Sequence, residues 1–112
     1  MHFCLTGQYT PQALKGLIAN PTANRYEAAK ATIEAAGGKL VAMYGMPAEG
    51  PGVMVIFDVP EPGTAAAAIT GIVVATGVLQ NVKLARLLNM EEVTHIRQLA
   101  NKVQGTFKTP GS

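Results

Sequence analysis

One cysteine, Cys4, is all the thiol chemistry this chain has. It excludes an internal disulfide and fits a reducing compartment. Charge is sparse too: Asp, Glu, Lys and Arg together make up 14% of the residues, against about a quarter in a typical soluble domain. So low a share is expected of a surface partly buried against copies of itself. Metal ligands are also few, since only His2 and His95 join Cys4, whereas a zinc site draws on three or four such side chains. No metal and no cofactor are expected.

Long apolar runs are missing as well. The longest are broken by Gly, Thr, Gln and Asn, short of the ~18 uninterrupted apolar residues of a membrane span. No basic segment followed by an apolar run opens the sequence, so no secretory signal is expected, and the default location is the cytoplasm. The net charge of +2 includes Lys102 and Lys108 near the C-terminus. Without a basic stripe interleaved with aromatics, nucleic acid is not an expected partner.

What is present is an apolar share of 48% in 112 residues, enough for one domain with a core, yet small enough for an oligomer interface to matter to stability. The most telling stretch runs Gly50-Pro-Gly-Val-Met-Val-Ile-Phe-Asp-Val-Pro60. A strand with one wet face alternates apolar and polar residues. Val53 to Phe57 does not alternate, so both of its faces need cover. The chain's own helices cover one, and a partner subunit, or a ligand held between subunits, covers the other.

Along the chain, Met1 to Gln8 reads as a first strand, with His2, Cys4, Thr6 and Gln8 on one face and Phe3 and Leu5 on the other. Thr10-Pro11 is a helix N-cap followed by proline at the first helical position, and Ala13, Leu14, Leu17 and Ile18 form a stripe. After Asn20-Pro21, Thr22 can cap a second segment with Tyr26, Ala29, Ile33 and Ala36 inward, ended by Gly37-Gly38. Strands are predicted at Lys39 to Met46, Val53 to Val59 and Val78 to Leu88, with a turn at Pro47 to Gly52. An alanine-rich helix spans Thr64 to Thr76; its end, Ile72-Val73-Val74, suits helix or strand. Asn89-Met-Glu-Glu92 has capping-box spacing and opens a last helix with Val93, Ile96, Ala100 and Val103 inward. Residues 1–104 are expected as one domain and 105–112 as a flexible tail. Strand-helix-strand-strand-helix-strand with right-handed crossovers is an α+β, ferredoxin-like βαββαβ fold: a four-stranded antiparallel sheet with helices on one face, plus a C-terminal helix.

Gln8-Tyr9-Thr10-Pro11-Gln12-Ala13-Leu14 resembles the opening Tyr-Thr signature of GYD-domain proteins. Arg25 to Lys39 is similar to that family's helix and diglycine exit, Tyr44 with Val53 to Pro60 to its second hairpin, and Asn81-Val82 to Arg86 to its last strand. The resemblance covers roughly residues 1 to 90. One departure stands out: Gly50-Pro51-Gly52 occupies the place of the Gly-Tyr-Asp that names the family, so no role of that Tyr-Asp pair carries over. The resemblance implies a domain that assembles sheet to sheet, like dimeric α/β-barrel proteins, and no established activity. Relatives by fold include small monooxygenases, dismutating enzymes and ligand-binding regulators, but fold does not settle function.

The candidates for chemistry are few. His2 and Cys4 share a strand face, as ligands or nucleophile, or as a strand end beside a thiol acting as a small apolar group. His2, Thr6, Gln8, Asp58, Lys83 and Arg86 are candidates to line the open sheet face as a polar pocket between subunits, or to hydrogen-bond across an interface with no ligand. Tyr9 and Tyr44 are candidates for its rim, and Tyr26 for the core. Asp58, if buried, would have a raised pKa and could act as a general base; at a strand end it equally suits a cap or an ion pair. Gly71 and Gly77 do not form a phosphate loop, and Gly50-Pro-Gly52 lacks the strand-to-helix context of a nucleotide motif.

Two functional classes follow. One is a homo-oligomer with a small-molecule binding or assembly role. The alternative is a cofactor-independent enzyme of the dimeric α/β-barrel type, acting on a small organic substrate at the open sheet face.

Overall fold

The computed structural model describes residues 1–48 and 50–111, so Glu49 in the turn before Gly50 and Ser112 in the tail lie outside the described residues. The elements are β1 (His2–Tyr9), α1 (Pro11–Ala19), α2 (Arg25–Ala35), β2 (Lys39–Met46), β3 (Gly52–Asp58), α3 (Thr64–Ala75), β4 (Leu79–Leu87) and α4 (Met90–Val103), followed by a 3-10 turn at Gln104–Thr106. The strands form one antiparallel sheet in the order β2-β3-β1-β4. This is the α+β, ferredoxin-like arrangement with an added C-terminal helix, and β3 is central in it. Among the described residues no helix is long and apolar enough to cross a membrane.

Local chemistry sets most of the boundaries. Thr10 caps α1, its hydroxyl accepting from the Ala13 amide at 3.3 Å, with Pro11 next. At the end of α2 the Gly38 amide reaches back to the Ile33 carbonyl and the Gly37 amide to that of Glu34, each at 2.9 Å. This bond pattern is a Schellman motif, and Gly37 takes the positive φ of +82° that it needs. Asn89 and Glu92 exchange bonds at the start of α4 as a full capping box. The β-branched run Ile72-Val73-Val74 is helical. The penalty for such residues in a helix is below ~1 kcal/mol each, and packing of Ile69 and Val73 on the core outweighs it.

The core lies on the helix-covered face. Leu5, Val53, Val55 and Phe57 point into it from the two central strands, Ile33 from α2, and Ala66 and Ile69 from α3. Phe57 is 0% exposed and stacks on Phe3 with ring centroids 6.0 Å apart. Burying one such ring stabilises by about 1.5–3 kcal/mol. Met54, Ile56 and Asp58, the alternate positions of β3, are only half-buried. The apolar strand is therefore covered on one side by its own chain, and its other side is open.

Three details differ from the sequence reading. The cap of α2 is Asn24 rather than Thr22. Tyr26 is not core but 45% exposed, because the inward stripe of α2 runs through Ala29, Ile33 and Ala36. The third concerns α4, whose predicted inward positions Ile96, Ala100 and Val103 are exposed, with Val93 half-buried. The helix leads away from the sheet in a molecule 60 Å long and 22 Å thick, so its apolar stripe meets little of its own chain.

Candidate functional site

Directly opposed residues in an antiparallel pair point to the same face, so the strand registers lay out the open face as four rows across the sheet. Lys39, Asp58, His2 and Leu87 form one end row, followed by Ala42, Ile56, Cys4 and Ala85. Tyr44, Met54, Thr6 and Lys83 come next, and Met46, Gly52, Gln8 and Gln80 close the other end. Thus His2, Thr6, Gln8, Tyr44, Asp58 and Lys83 do share the open face, but they are spread along it. His2 and Gln8 are six positions apart on one strand, about 20 Å at the usual strand rise. Between the two polar ends lies an apolar row.

Arg86 and Tyr9 are not on this face. Arg86 is three positions beyond Lys83, and strand side chains alternate with period two. It stands opposite Phe3 on the helix side and pairs with Glu92 of α4. Tyr9 is opposite Leu79 and lines a cleft on the helix side. A bulge causes a second change of parity: Asn81 takes a φ of +53° where the register shifts between Thr6 and Gln8, and its side-chain amide donates to Gln8 Oε1 at 2.7 Å.

Asp58 is engaged in an ion pair. Its Oδ1 accepts from the Met1 ammonium at 2.8 Å, and the same ammonium donates to the Val59 carbonyl at 2.8 Å. His2 Nδ1 is 3.9 Å from the same oxygen. The Asp58 side chain is 44% exposed, and the ammonium's hydrogen bond holds its carboxyl below the ordinary value. The burial that a general base needs is missing, so the ion-pair alternative describes this carboxylate. Partial burial pushes the Cys4 thiol up instead, as for a small apolar group in an apolar row. Among the described residues no three His, Cys, Asp or Glu side chains cluster as metal ligands.

The best-formed concavity is on the opposite side of the sheet. α2 packs chiefly on β2 and α3 chiefly on β4, so the two helices lean toward opposite edges and leave a cleft of about 280 Å³ over the central strands. Its floor is Leu5, Val53, Val55 and Phe57; Ala28, Ala29 and Ile33 wall it on one side, and Ile69, Ile72 and Val73 on the other. The directions of the elements sort the remaining lining. β1 ends, α2 begins and α3 ends at the same end of the sheet, where the Thr10 hydroxyl bonds the Gly77 carbonyl at 2.8 Å. Arg25, Tyr9 and Thr76 therefore gather at one end of the cleft, and Phe57, Ile33 and Ile69 lie deeper. Sequence reasoning missed Arg25, Thr32 and Thr76. The signal was the helical spacing of 25, 28, 29, 32 and 33, with alanines at its centre that are too small to close the gap to α3.

No curated protein matches this chain. A family model, the GYD domain, matches residues 3–96, from β1 through the first half of α4. The match takes in the Gln8 to Leu14 stretch and all four strands but for His2, and the chain belongs to the GYD-domain family.

Proposed function

We propose that this GYD-domain chain forms a homo-oligomer by sheet-to-sheet contact, in a binding or assembly role with a small molecule as its partner. The observation that carries the reading is the row Ala42, Ile56, Cys4 and Ala85 across the uncovered sheet face. Met54 flanks it on one side and Leu87, 38% exposed, on the other. An apolar band rimmed by polar residues is the usual make-up of a protein interface. The unpartnered stripe of α4, with Ile96, Leu99 and Val103 about half exposed, supplies a second apolar surface for the same partner. The unpaired Cys4 suits a reducing, cytoplasmic setting.

The enzymatic alternative has less support. It drew on His2, Tyr9 and Asp58 around one pocket, yet Tyr9 is on the other face and Asp58 is tied to the Met1 ammonium. Light scattering tests the main reading. The wild-type chain is expected above monomer mass at micromolar concentration, and Ile56→Glu, which puts a charge in the middle of the band, is expected at monomer mass with its far-ultraviolet circular dichroism intact. A monomeric wild type overturns the proposal.

A further inference from the structure

We infer that the cleft between α2 and α3 binds a small monoanionic amphiphile, a medium-chain or aromatic carboxylic acid, with its apolar part over Val55 and Phe57 and its carboxylate at Arg25. The inference rests on the small-molecule half of the reading above and names its site. That site is on the helix side of the sheet, away from the proposed assembly face.

Four observations specify the ligand. The first is size: at ~30 Å³ of liquid volume per water molecule and the close packing of bound ligands, 280 Å³ admits roughly ten to fifteen non-hydrogen atoms. The second is the floor of the cleft, which is apolar, with Phe57, Val55 and Ile69 all under 10% exposed and, among the described residues, no buried side-chain polar atom left without a partner. A ligand with a polar group at both ends would lose hydrogen bonds there.

The third observation is the distribution of charge. Among the described residues, Arg25 is the one charged residue lining the cleft, and its guanidinium has no ion-pair partner. It is also the first residue of α2, whose positive dipole end favours an anion at the same place. Glu27, the acidic residue of that first turn, does not line the cleft. The fourth is the set of hydroxyls at the Arg25 end. Thr76 donates to the Val73 carbonyl and keeps its oxygen lone pairs, whereas the Tyr9 phenol, which lines the same end, makes no hydrogen bond among the described residues and is available to donate to a carboxylate. A guanidinium and a phenol at one end of an apolar slot form a charge-assisted site for one carboxylate.

Decanoate, with twelve non-hydrogen atoms, is the probe, titrated below its micellar concentration into the full chain. Calorimetry reads affinity, and backbone amide shifts locate the site; 1-decanol is the uncharged control. Saturable binding is expected, with shifts on α2, α3 and the central strands. Arg25→Gln is expected to weaken decanoate about tenfold while changing decanol less than twofold. Ala29→Leu, which fills the cleft, is expected to abolish both. Arg25 is exposed, so its variant tests the site even where Ala29→Leu disturbs packing. Absence of decanoate binding overturns the inference, and so does equal loss of decanol and decanoate in Arg25→Gln. Shifts confined to the open sheet face overturn it as well. Cleft shifts that follow protein concentration rather than decanoate would assign the cleft to α4 of a second copy, and the inference fails. Light scattering on the same samples reports assembly separately, so a failed oligomer and an empty cleft are told apart.

Discussion

Gly52 lies so close to Gly7 of the neighbouring central strand that a Cβ on Gly52 would collide with the carbonyl oxygen of Gly7. The contact explains the second glycine of Gly50-Pro51-Gly52. It lets β3 start hard against the end of β1, where the Tyr9 amide also donates to the Pro51 carbonyl at 3.0 Å. The Gly50-Pro51-Gly52 turn is thus a close-packed seam of the sheet.

Gly52→Ala should therefore destabilise the fold although it adds one methyl group. The clash is with backbone, which cannot rotate away, so the loss is expected at about 2–3 kcal/mol. Urea unfolding followed by circular dichroism measures it; a loss below ~0.5 kcal/mol would mean that the strands separate freely at this point.

Phe57→Ala is expected to cost about 3–5 kcal/mol, since it removes the fully buried ring and its stack on Phe3. Ile56→Ala, the next residue on the same strand but on the open face, is expected to cost much less in the monomer. The contrast between these neighbours, read by the same unfolding experiment in dilute protein, checks which face of β3 is covered within one chain.

Asn89→Ala removes the side-chain half of the capping box that starts α4, the bond that the Asn89 side chain accepts from the Glu92 amide. The expected loss is about 1 kcal/mol of helix stability. It should show as reduced amide-exchange protection in α4 while the sheet keeps its own, because α4 packs little on the rest of the chain.

The stripe of α4 gives a fourth expectation. Ile96→Ser with Leu99→Ser removes two half-exposed apolar side chains. If a partner covers them, the double variant has a lower mass in light scattering and unchanged urea stability as a monomer. An unchanged mass would leave α4 outside the assembly.

Asp58 gives a pH dependence of definite sign. Its folded carboxyl is below the ordinary 3.8, chiefly through the Met1 ammonium. The unfolded state then binds the proton more readily, so the ion pair's stabilisation is fully present above the ordinary value and is lost as pH falls through the lower, folded one. Asp58→Asn should flatten the stability profile below about pH 4. Urea midpoints across this range measure it.

Much of the fold was legible because its signals are local. β2 begins and ends where its sequence pattern does, and Thr10-Pro11, Gly37-Gly38 and the Asn89 box each bound a helix within one turn of chain. Sites are less local. Arg86 and Lys83 are both candidates for the open face by their charge, yet period-two alternation keeps them from sharing it. Asp58 was a conditional general base whose condition, burial, depends on residues far along the chain. Tyr26 and the stripe of α4 look like core by spacing alone, because an apolar face has the same pattern whether its cover is the same chain or another.

The sequence by itself determined, to within a few residues, where most strands and helices start and stop, and that β3 is apolar on both faces. These follow from backbone preferences, caps and side-chain period, all set within a few residues. Only the tertiary structure decided that one face of β3 stays open and that the bulge at Asn81 resets the register of β4. It likewise decided that α2 and α3 lean toward opposite edges of the sheet, leaving a cleft with Arg25 at one end that the alanines of α2 are too small to fill. Those outcomes depend on the packing of residues far apart in the chain, and no local preference encodes them.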